Sequence, residues 1–187
     1  MLQIWDVNWY LDVEQCPCDV HFVEWLEANS VQAKTIFHFG TGGHHHIGLA
    51  NHAKGCPNDI LGITASPQEF DAFVKLAIEH AELSRHYQVL FGDIYLLNPK
   101  LLPHIDIATL FHLCEFRGDS QDAYGGLTDE GVLDTTLQTM PKGGIVSIFT
   151  GSFAGDKATD IAMSAVAAGK LERLADYKSL QFYEKLS

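Results

Sequence analysis

The segment Thr35–Gly48 constrains the fold more than any other part of the chain. Its sequence, TIFHFGTGGHHHIG, takes an apolar run directly into a glycine-rich turn, and a helical pattern follows. Proteins of the α/β class use this arrangement to present backbone N–H groups to a nucleotide-like ligand at a helix N-terminus. Histidines stand where such turns usually carry an acid and a third glycine. The segment therefore predicts an α/β fold with an altered ligand loop.

Hydrophobic periodicity predicts strands that alternate with helices along the whole chain. The predicted strands are 34–39, 59–64, 87–93, 105–112, 145–150, 171–177 and 179–184, and the predicted helices are 18–29, 45–54, 67–86, 128–140 and 156–168. We expect Asp19 to be the N-cap of the first helix.

This alternation implies crossover connections and a sheet covered by helices on both faces. The last two strands are close enough to form a hairpin, which makes one of them antiparallel. The predicted fold is a Rossmann-like three-layer sandwich, with a mostly parallel seven-stranded sheet and an antiparallel C-terminal hairpin strand. Its ligand crevice is expected at the carboxyl ends of the strands, beside the first strand.

The length of 187 residues predicts a single α/β domain, which we place at residues 18–187. Residues 1–17 form a separate N-terminal segment in this prediction. Trp5, Trp9 and Tyr10 crowd this segment, which is compatible with a lid over the crevice or with a hydrophobic brace against the sheet edge.

The formal net charge of −12 disfavours nucleic acid as a partner, because affinity for phosphate backbones needs clustered cations. No leader peptide or membrane-spanning run is recognisable, so a cytoplasmic protein without membrane contact is expected. A small-molecule substrate is the expected partner, and a homodimer is compatible with the sequence.

The cysteines Cys16 and Cys18 flank a proline, and His21 follows them closely. This pattern is compatible with half of a zinc site or with a pair of loop thiols. A matching second pair is missing and the spacing is shorter than in common zinc motifs. The sequence alone therefore favours loop thiols and predicts no metal site.

Several motifs, taken in order, resemble those of the class I S-adenosylmethionine-dependent methyltransferases, from about residue 18 to the end of the chain. They are the glycine turn 40–43, the segment Leu61–Pro67, the strand exit Phe91–Asp93, the strand Asp106–His112, the turn Met140–Val146 and the closing hairpin. The resemblance implies S-adenosylmethionine as cofactor and methyl transfer as the reaction.

The resemblance also implies positions for a cofactor site. Gly40 and Gly42 would admit the methionine part and the ribose, and Asp93 would accept from the adenine amino group. His38 and Thr64 stand where the family carries acids, and Thr64 or Ser66 would contact the ribose. The complete implied set is His38, Gly40, Thr41, Gly42, Thr64, Ala65, Ser66, Asp93 and Ile94.

Loss of two carboxylates predicts weakened cofactor affinity, by about 1.5–3 kcal/mol for each charged hydrogen bond. Simpler roles stay open for several of these residues. The glycines could serve only a tight turn, Asp93 could be a turn acid, and Thr64 and Ser66 could cap the next helix. His38 could be a core histidine bonded to the backbone.

Three roles are open for the histidines 44–46: metal ligation, hydrogen bonding to a ligand, or a polar surface loop. Consecutive side chains at a helix start diverge by about 100°, so the three cannot easily bind one ion. A metal would need a ligand from elsewhere, such as His112, His38 or Cys114.

His112 is the predicted general base, because it ends a predicted buried strand near the crevice. The leading functional hypothesis is a methyltransferase-like protein that acts on a small molecule, and the alternative is an inactive binding or partner-interaction module of the same fold. A nicotinamide-dependent reductase is less favoured because the third glycine of its motif is replaced by His45. The G-x-S-x-G motif of hydrolases and the P-loop motif are both missing.

Overall fold

The computed structural model describes all residues from Met1 to Ser187. Seven strands form one sheet in the order β3-β2-β1-β4-β5-β7-β6. The strands are β1 (Thr35–Phe39), β2 (Asp59–Thr64), β3 (Tyr87–Phe91), β4 (Ile107–Thr109), β5 (Ile145–Phe149), β6 (Leu171–Arg173) and β7 (Leu180–Lys185). The helices are α1 (Cys18–Ala28), α2 (His46–Ala53), α3 (Pro67–Glu79), α4 (Asp119–Ala123), α5 (Asp129–Thr139) and α6 (Gly155–Ala167).

The sheet is parallel from β3 to β5, and β7 runs antiparallel to both β5 and β6. The predicted fold class is therefore confirmed. Strand order reverses between β1 and β4, which places a crevice at their carboxyl ends.

Two hydrophobic cores lie on opposite faces of the sheet. Helices α1, α2 and α3 pack on one face, and α5 and α6 pack on the other. Side chains of β1 alternate between the two faces, as the pleat requires: Ile36 belongs to the first core, and Phe37 and Phe39 belong to the second. His38 therefore points towards the α1 side, among buried groups. No helix has the length and apolar character that crossing a bilayer requires.

The predicted strand 105–112 was wrong at its end, because β4 stops at Thr109. The Leu113 N–H bonds to the Leu110 carbonyl and closes a turn immediately after the strand. Leu110, Phe111 and Leu113 are nonetheless fully buried. The apolar run thus predicted burial correctly. The buried residues, however, form a turn and not a strand, and this turn carries His112 back over the sheet edge.

Other boundaries also differ from the prediction. Helix α3 ends at Glu79, and a separate 3₁₀ turn covers Leu83–Arg85. The segment between the predicted strand 105–112 and the predicted helix 128–140, for which no element was predicted, contains the short helix α4. The first hairpin strand, predicted to reach residue 177, is only the three residues of β6.

The N-cap of α1 is Pro17 and not Asp19. Asp19 lies within the first helical turn and is only 4% exposed. Its carboxylate is turned towards the sheet, so the predicted capping role was wrong. The Asp19 carboxylate instead lies among the buried polar groups beneath α1.

Residues 1–11, which we call the N-terminal strap, contain no helix or strand. Backbone hydrogen bonds fix the strap to the carboxyl edge of the sheet: Trp5 N–H donates to the Ala65 carbonyl at 3.1 Å, and Gly43 N–H donates to the Trp9 carbonyl at 2.9 Å. The rings of Trp5 and Trp9 pack edge-on against Phe116, with centroids 5.1 and 5.6 Å away. The strap therefore lies across the carboxyl ends of β1 and β2.

Candidate active site at the carboxyl edge of the sheet

The turn after β1 can be made only with glycine at two positions. Gly40 and Gly42 have φ angles of +85° and +54°, which favour glycine. A Cβ on Gly42 would also lie 2.3 Å from Nε2 of His44, and one on Gly40 would lie 3.1 Å from the His112 ring. The turn thus places backbone without side chains at the crevice, between the imidazole rings of His44 and His112.

Helix α3 contributes a buried carboxylate that the sequence analysis did not assign to the site. Glu69 is 2% exposed, and its Oε2 accepts from the Thr64 hydroxyl at 2.6 Å and from the Thr41 hydroxyl at 3.5 Å. Burial raises the pKa of Glu69, whereas the hydrogen bond from Thr64 opposes that shift.

The sequence signal for Glu69 is the segment Ser66-Pro67-Gln68-Glu69, whose spacing is that of a capping box. Ser66 Oγ does accept from the Glu69 N–H, as an N-cap should. In a capping box the Glu side chain would turn back to the N-cap backbone. Here the Ser66 N–H is bonded to Thr64 Oγ1 instead, which leaves the Glu69 carboxylate for the end of β2.

Asp93 follows β3, which lies beyond β2 in the sheet. It caps a 3₁₀ turn by accepting from the Tyr95 N–H at 3.0 Å. Its second oxygen accepts from the Gln121 amide at 3.2 Å and from the Tyr124 hydroxyl. Asp93 is 7% exposed, and the neighbouring Ile94 is buried. The carboxylate is therefore held in place by α4 and the residue after it.

The three consecutive histidines diverge, because only His46 lies in α2 and His45 before it has a left-handed backbone conformation. His45 is buried and contacts the Tyr87 hydroxyl at 2.8 Å and the Glu69 carbonyl at 3.0 Å. His44 lies with Nδ1 3.7 Å from Oδ2 of Asp19. His46 begins α2. His45 thus serves packing between α2, α3 and β3, which excludes the interpretation of the run as a surface loop.

His38 is a core histidine with one unused nitrogen. Its Nδ1 is hydrogen-bonded to the Thr109 hydroxyl at 2.7 Å, whereas Nε2 has no partner and lies 3.9 Å from Oδ2 of Asp19. Burial, with the neighbouring His44, lowers the pKa of His38 to about 3. Burial also raises the pKa of Asp19 to about 7. The pair beneath α1 is therefore poorly solvated and stays close to neutral.

His112 is oriented by an acid and directed at a thiol. Its Nδ1 lies 3.1 Å from Oε2 of Glu115, and its Nε2 lies 3.9 Å from Sγ of Cys16. Burial opposes the charged form, but the contacts with Cys16 and Glu115 outweigh it and raise the pKa of His112 to about 10. An imidazolium cannot accept a proton at neutral pH, so this arrangement does not support the general-base role predicted for His112.

Solved structures share this architecture at low sequence identity. TrmN from Thermus thermophilus has a TM-score of 0.58 and 15% identity over 87% of this chain and 47% of its own. The [4+2]-cyclase SpnF has a TM-score of 0.59 and 18% identity over 93% and 65%. The SAH-bound methyltransferase PaMTH1 from Podospora anserina has a TM-score of 0.64 and 11% identity over 90% and 78%.

The chain has the class I methyltransferase fold. No protein-family model and no curated protein matches the sequence. The chain spans about half of TrmN and under two thirds of SpnF, so it corresponds to part of each. Because SpnF is named a cyclase, this fold does not by itself fix the reaction.

In a methyltransferase fold, S-adenosylmethionine is the implied cofactor, and the donor set at this edge suits its polar groups. The glycine turn offers N–H groups, and Glu69 and Asp93 offer carboxylates at the ends of the next two strands, β2 and β3. The strap, however, already uses several of these groups. The Trp9 carbonyl accepts from Gly43 N–H, and Ser66 Oγ donates to the Val7 carbonyl. The residues fit the cofactor only after the strap moves.

Proposed function

We propose that the protein is an S-adenosylmethionine-dependent methyltransferase that acts on a small molecule. The observation that carries this proposal is a row of groups at three neighbouring strand ends: the glycine turn after β1, the buried carboxylate of Glu69 at the end of β2 and the buried carboxylate of Asp93 after β3. Hydroxyl groups of a ribose and the amino group of an adenine are hydrogen-bond donors, so each needs an acceptor of this kind.

Each predicted residue has a place in this proposal. The turn Gly40–Gly42, with Thr41, would lie against the methionine part and the ribose. Glu69 would accept from the ribose hydroxyls, supported by Thr64, Ala65 and Ser66. Asp93, with Ile94 beside it, would accept from the adenine amino group. His38 lies behind the turn, hydrogen-bonded to Thr109, and would act through packing.

In this proposal Glu69 replaces the acid that the sequence lacks at the end of β2. The missing acid at the end of β2 predicted a loss of about 1.5–3 kcal/mol in cofactor binding. A carboxylate that reaches the same strand end from α3 would restore that hydrogen bond. The SAH bound to PaMTH1 supports the choice of this cofactor class for the fold.

A small acceptor is favoured because the chain, with a formal net charge of −12, has no cluster of cations that would bind a nucleic acid. Methyl transfer depends mainly on the alignment of donor and acceptor, so exclusion of water and orientation would be the main contributions of the protein. The Phe116 ring, which packs against Trp5 and Trp9, couples the strap to the turn after β4.

Titration calorimetry with S-adenosylmethionine and S-adenosylhomocysteine, run beside NAD(H), tests the proposal. We expect binding of the first pair with a dissociation constant in the micromolar range, at about −8 kcal/mol, and no heat with the nicotinamides. Absence of heat with the adenosyl compounds, in both the full chain and a chain without the strap, would refute the proposal.

A further inference from the structure

Three metal-binding side chains meet below the strap. Cys16 and Cys18 place their sulfur atoms 3.4 Å apart, and Nε2 of His112 lies 3.9 Å from Sγ of Cys16. All three ligand atoms lie within 4.8 Å of one another. The thiols come from the start of α1 and the imidazole from the turn after β4, so the fold brings together residues almost a hundred positions apart. His21, the partner suggested by the sequence, is instead bonded to Ser179.

These separations suit a tetrahedral zinc ion. With Zn–S bonds of about 2.3 Å and a Zn–N bond of about 2.0–2.1 Å, tetrahedral angles place two sulfurs about 3.8 Å apart and a sulfur and a nitrogen about 3.6 Å apart. The observed separations of 3.4 and 3.9 Å differ from these by only a few tenths of an ångström. Small side-chain rotations would close the difference.

The imidazole has the support that metal-bound histidines require. Glu115 holds Nδ1 of His112, which leaves Nε2 directed at the thiols. Glu115 is itself fixed, because it accepts from the Phe153 N–H at 2.9 Å and from the Ser152 hydroxyl. A carboxylate, a histidine and a metal in this order are typical of protein zinc sites.

The local charge also favours a cation. Asp19 is almost fully buried beside the thiols, with Oδ1 3.6 Å from Sγ of Cys18, and its Oδ2 has no hydrogen-bond partner. No lysine or arginine is paired with it. A buried carboxyl group beside two thiols is costly to ionise, and a bound cation would lower that cost.

We propose that Cys16, Cys18 and His112 bind one Zn²⁺ ion. Two thiolates and one imidazole are borderline-soft ligands that select zinc over magnesium or calcium. Binding forms two Zn–S bonds and one Zn–N bond, and the protons held by the thiols and the imidazole pass to solvent. The fourth tetrahedral position is left for water or another ligand, as in sites that keep an open position.

The site would also anchor the strap. Cys16 lies five residues beyond the end of the strap, and His112 belongs to the turn that carries Phe116. A bound ion would thus link the exit of the strap to β4. This inference does not depend on the proposed methyltransferase activity, because metal binding is measured without cofactor or substrate.

Cobalt and zinc titrations of the reduced, metal-free full chain test the site. We expect one Co²⁺ per chain, with thiolate-to-cobalt charge-transfer absorption and the visible bands of a tetrahedral ion, and stoichiometric displacement by Zn²⁺. Zinc should also protect Cys16 and Cys18 from alkylation, as followed by mass spectrometry. These measurements use the unmodified chain, so they do not depend on whether a variant folds.

Substitutions then assign the ligands. Cys16→Ser, Cys18→Ser and His112→Gln should each abolish stoichiometric binding, and Glu115→Gln should weaken it by about 10–100-fold. Cys56→Ser is the matched control, because Cys56 lies 3.5 Å from Nδ1 of His52 and forms a cysteine–histidine pair without a third ligand. It should bind zinc as the unmodified chain does.

Three results would overturn the proposal. One is an unmodified, reduced chain that binds no cobalt or zinc in stoichiometric amount. Another is unchanged binding in the Cys16 and Cys18 variants, or loss of binding in the Cys56 control. The last is alkylation of Cys16 that zinc does not slow, which would identify a free reactive thiol beside His112.

Discussion

Glu69 is the residue on which the candidate cofactor site depends most. A helix-capping position normally exposes its carboxylate, but Thr64 and Thr41 draw this one into the edge of the sheet. Its burial carries a desolvation cost, which raises its pKa. A group kept in such a position at a cost in stability is a reasonable candidate for binding.

Glu69→Gln should raise the dissociation constant for S-adenosylhomocysteine by about 10-fold or more, because a neutral acceptor replaces a charged one. Calorimetry measures the change. Glu79→Gln is the matched control, since Glu79 lies exposed at the end of the same helix. Equal affinity in the two variants would remove Glu69 from the site.

His38 should make stability depend on acid pH. In the unfolded chain His38 has its ordinary pKa of 6.5 and takes up a proton as the pH falls below that value. In the folded chain the pKa of His38 is about 3. The unfolded state therefore binds more protons in this window, and stability falls as pH falls through it. Between about pH 7.5 and 4.5 the loss from this one group is about 2–3 kcal/mol.

Urea unfolding across this range measures the loss, and the metal is removed first so that only protons are exchanged. His38→Gln should flatten the pH dependence, because the amide does not titrate. His104→Gln, at an exposed position, should leave the slope unchanged. If stability depends on pH with the same slope in both variants, the dependence belongs to other groups. One such group is His44, because burial lowers its pKa to about 4.

At the scale of elements, the strap decides whether the crevice is accessible. It carries no regular structure, and its contacts with the sheet edge are backbone hydrogen bonds, side-chain hydrogen bonds from Ser66 and Gln68, and two tryptophan rings. Few of its side chains are buried, and Tyr10 is 78% exposed. Segments of this kind open locally at low cost in free energy, unlike core strands.

Deletion of residues 2–11 should lower the dissociation constant for S-adenosylhomocysteine by about 10-fold, because the strap and the ligand use the same groups. Calorimetry compares the deletion with Tyr10→Ala, which changes an exposed side chain and leaves the strap in place. Weaker binding after the deletion would show that the strap closes over the ligand and does not compete with it.

At the scale of the whole molecule, the net charge predicts weak binding to nucleic acids. The chain has 24 acidic residues against 12 lysines and arginines. Phosphate backbones are bound through clustered cations that release counterions, and the sequence has no such cluster. That other proteins share this fold does not alter this argument, because affinity for RNA depends on the charges at the protein surface and not on the fold.

We therefore expect no binding of a transfer-RNA-sized molecule below about 100 µM at physiological salt, measured by fluorescence anisotropy. A basic protein of similar size is the positive control. A micromolar dissociation constant that weakens steeply with added salt would contradict the expectation and would point to a positive surface formed only in an assembly.

The sequence by itself determined the order of elements, the sheet and the glycine turn. These follow from local signals: period-two and helical patterns, a Ser-Pro helix start, and glycines at positive φ. The strand prediction was wrong where buried residues do not belong to a strand. Leu110, Phe111 and Leu113 are an example, because they are buried within a turn. An apolar run reports burial and not the backbone conformation that achieves it.

Only the tertiary structure decided which polar groups meet. Glu69 reaches the end of β2 from α3, the strap lies on the glycine turn, and His112 joins two thiols at the start of α1. None of these contacts has a spacing that the sequence displays, because each joins residues from different elements. The physical reason is that crossover connections bring distant segments to one edge of the sheet, where side-chain direction, set by packing, selects the partners.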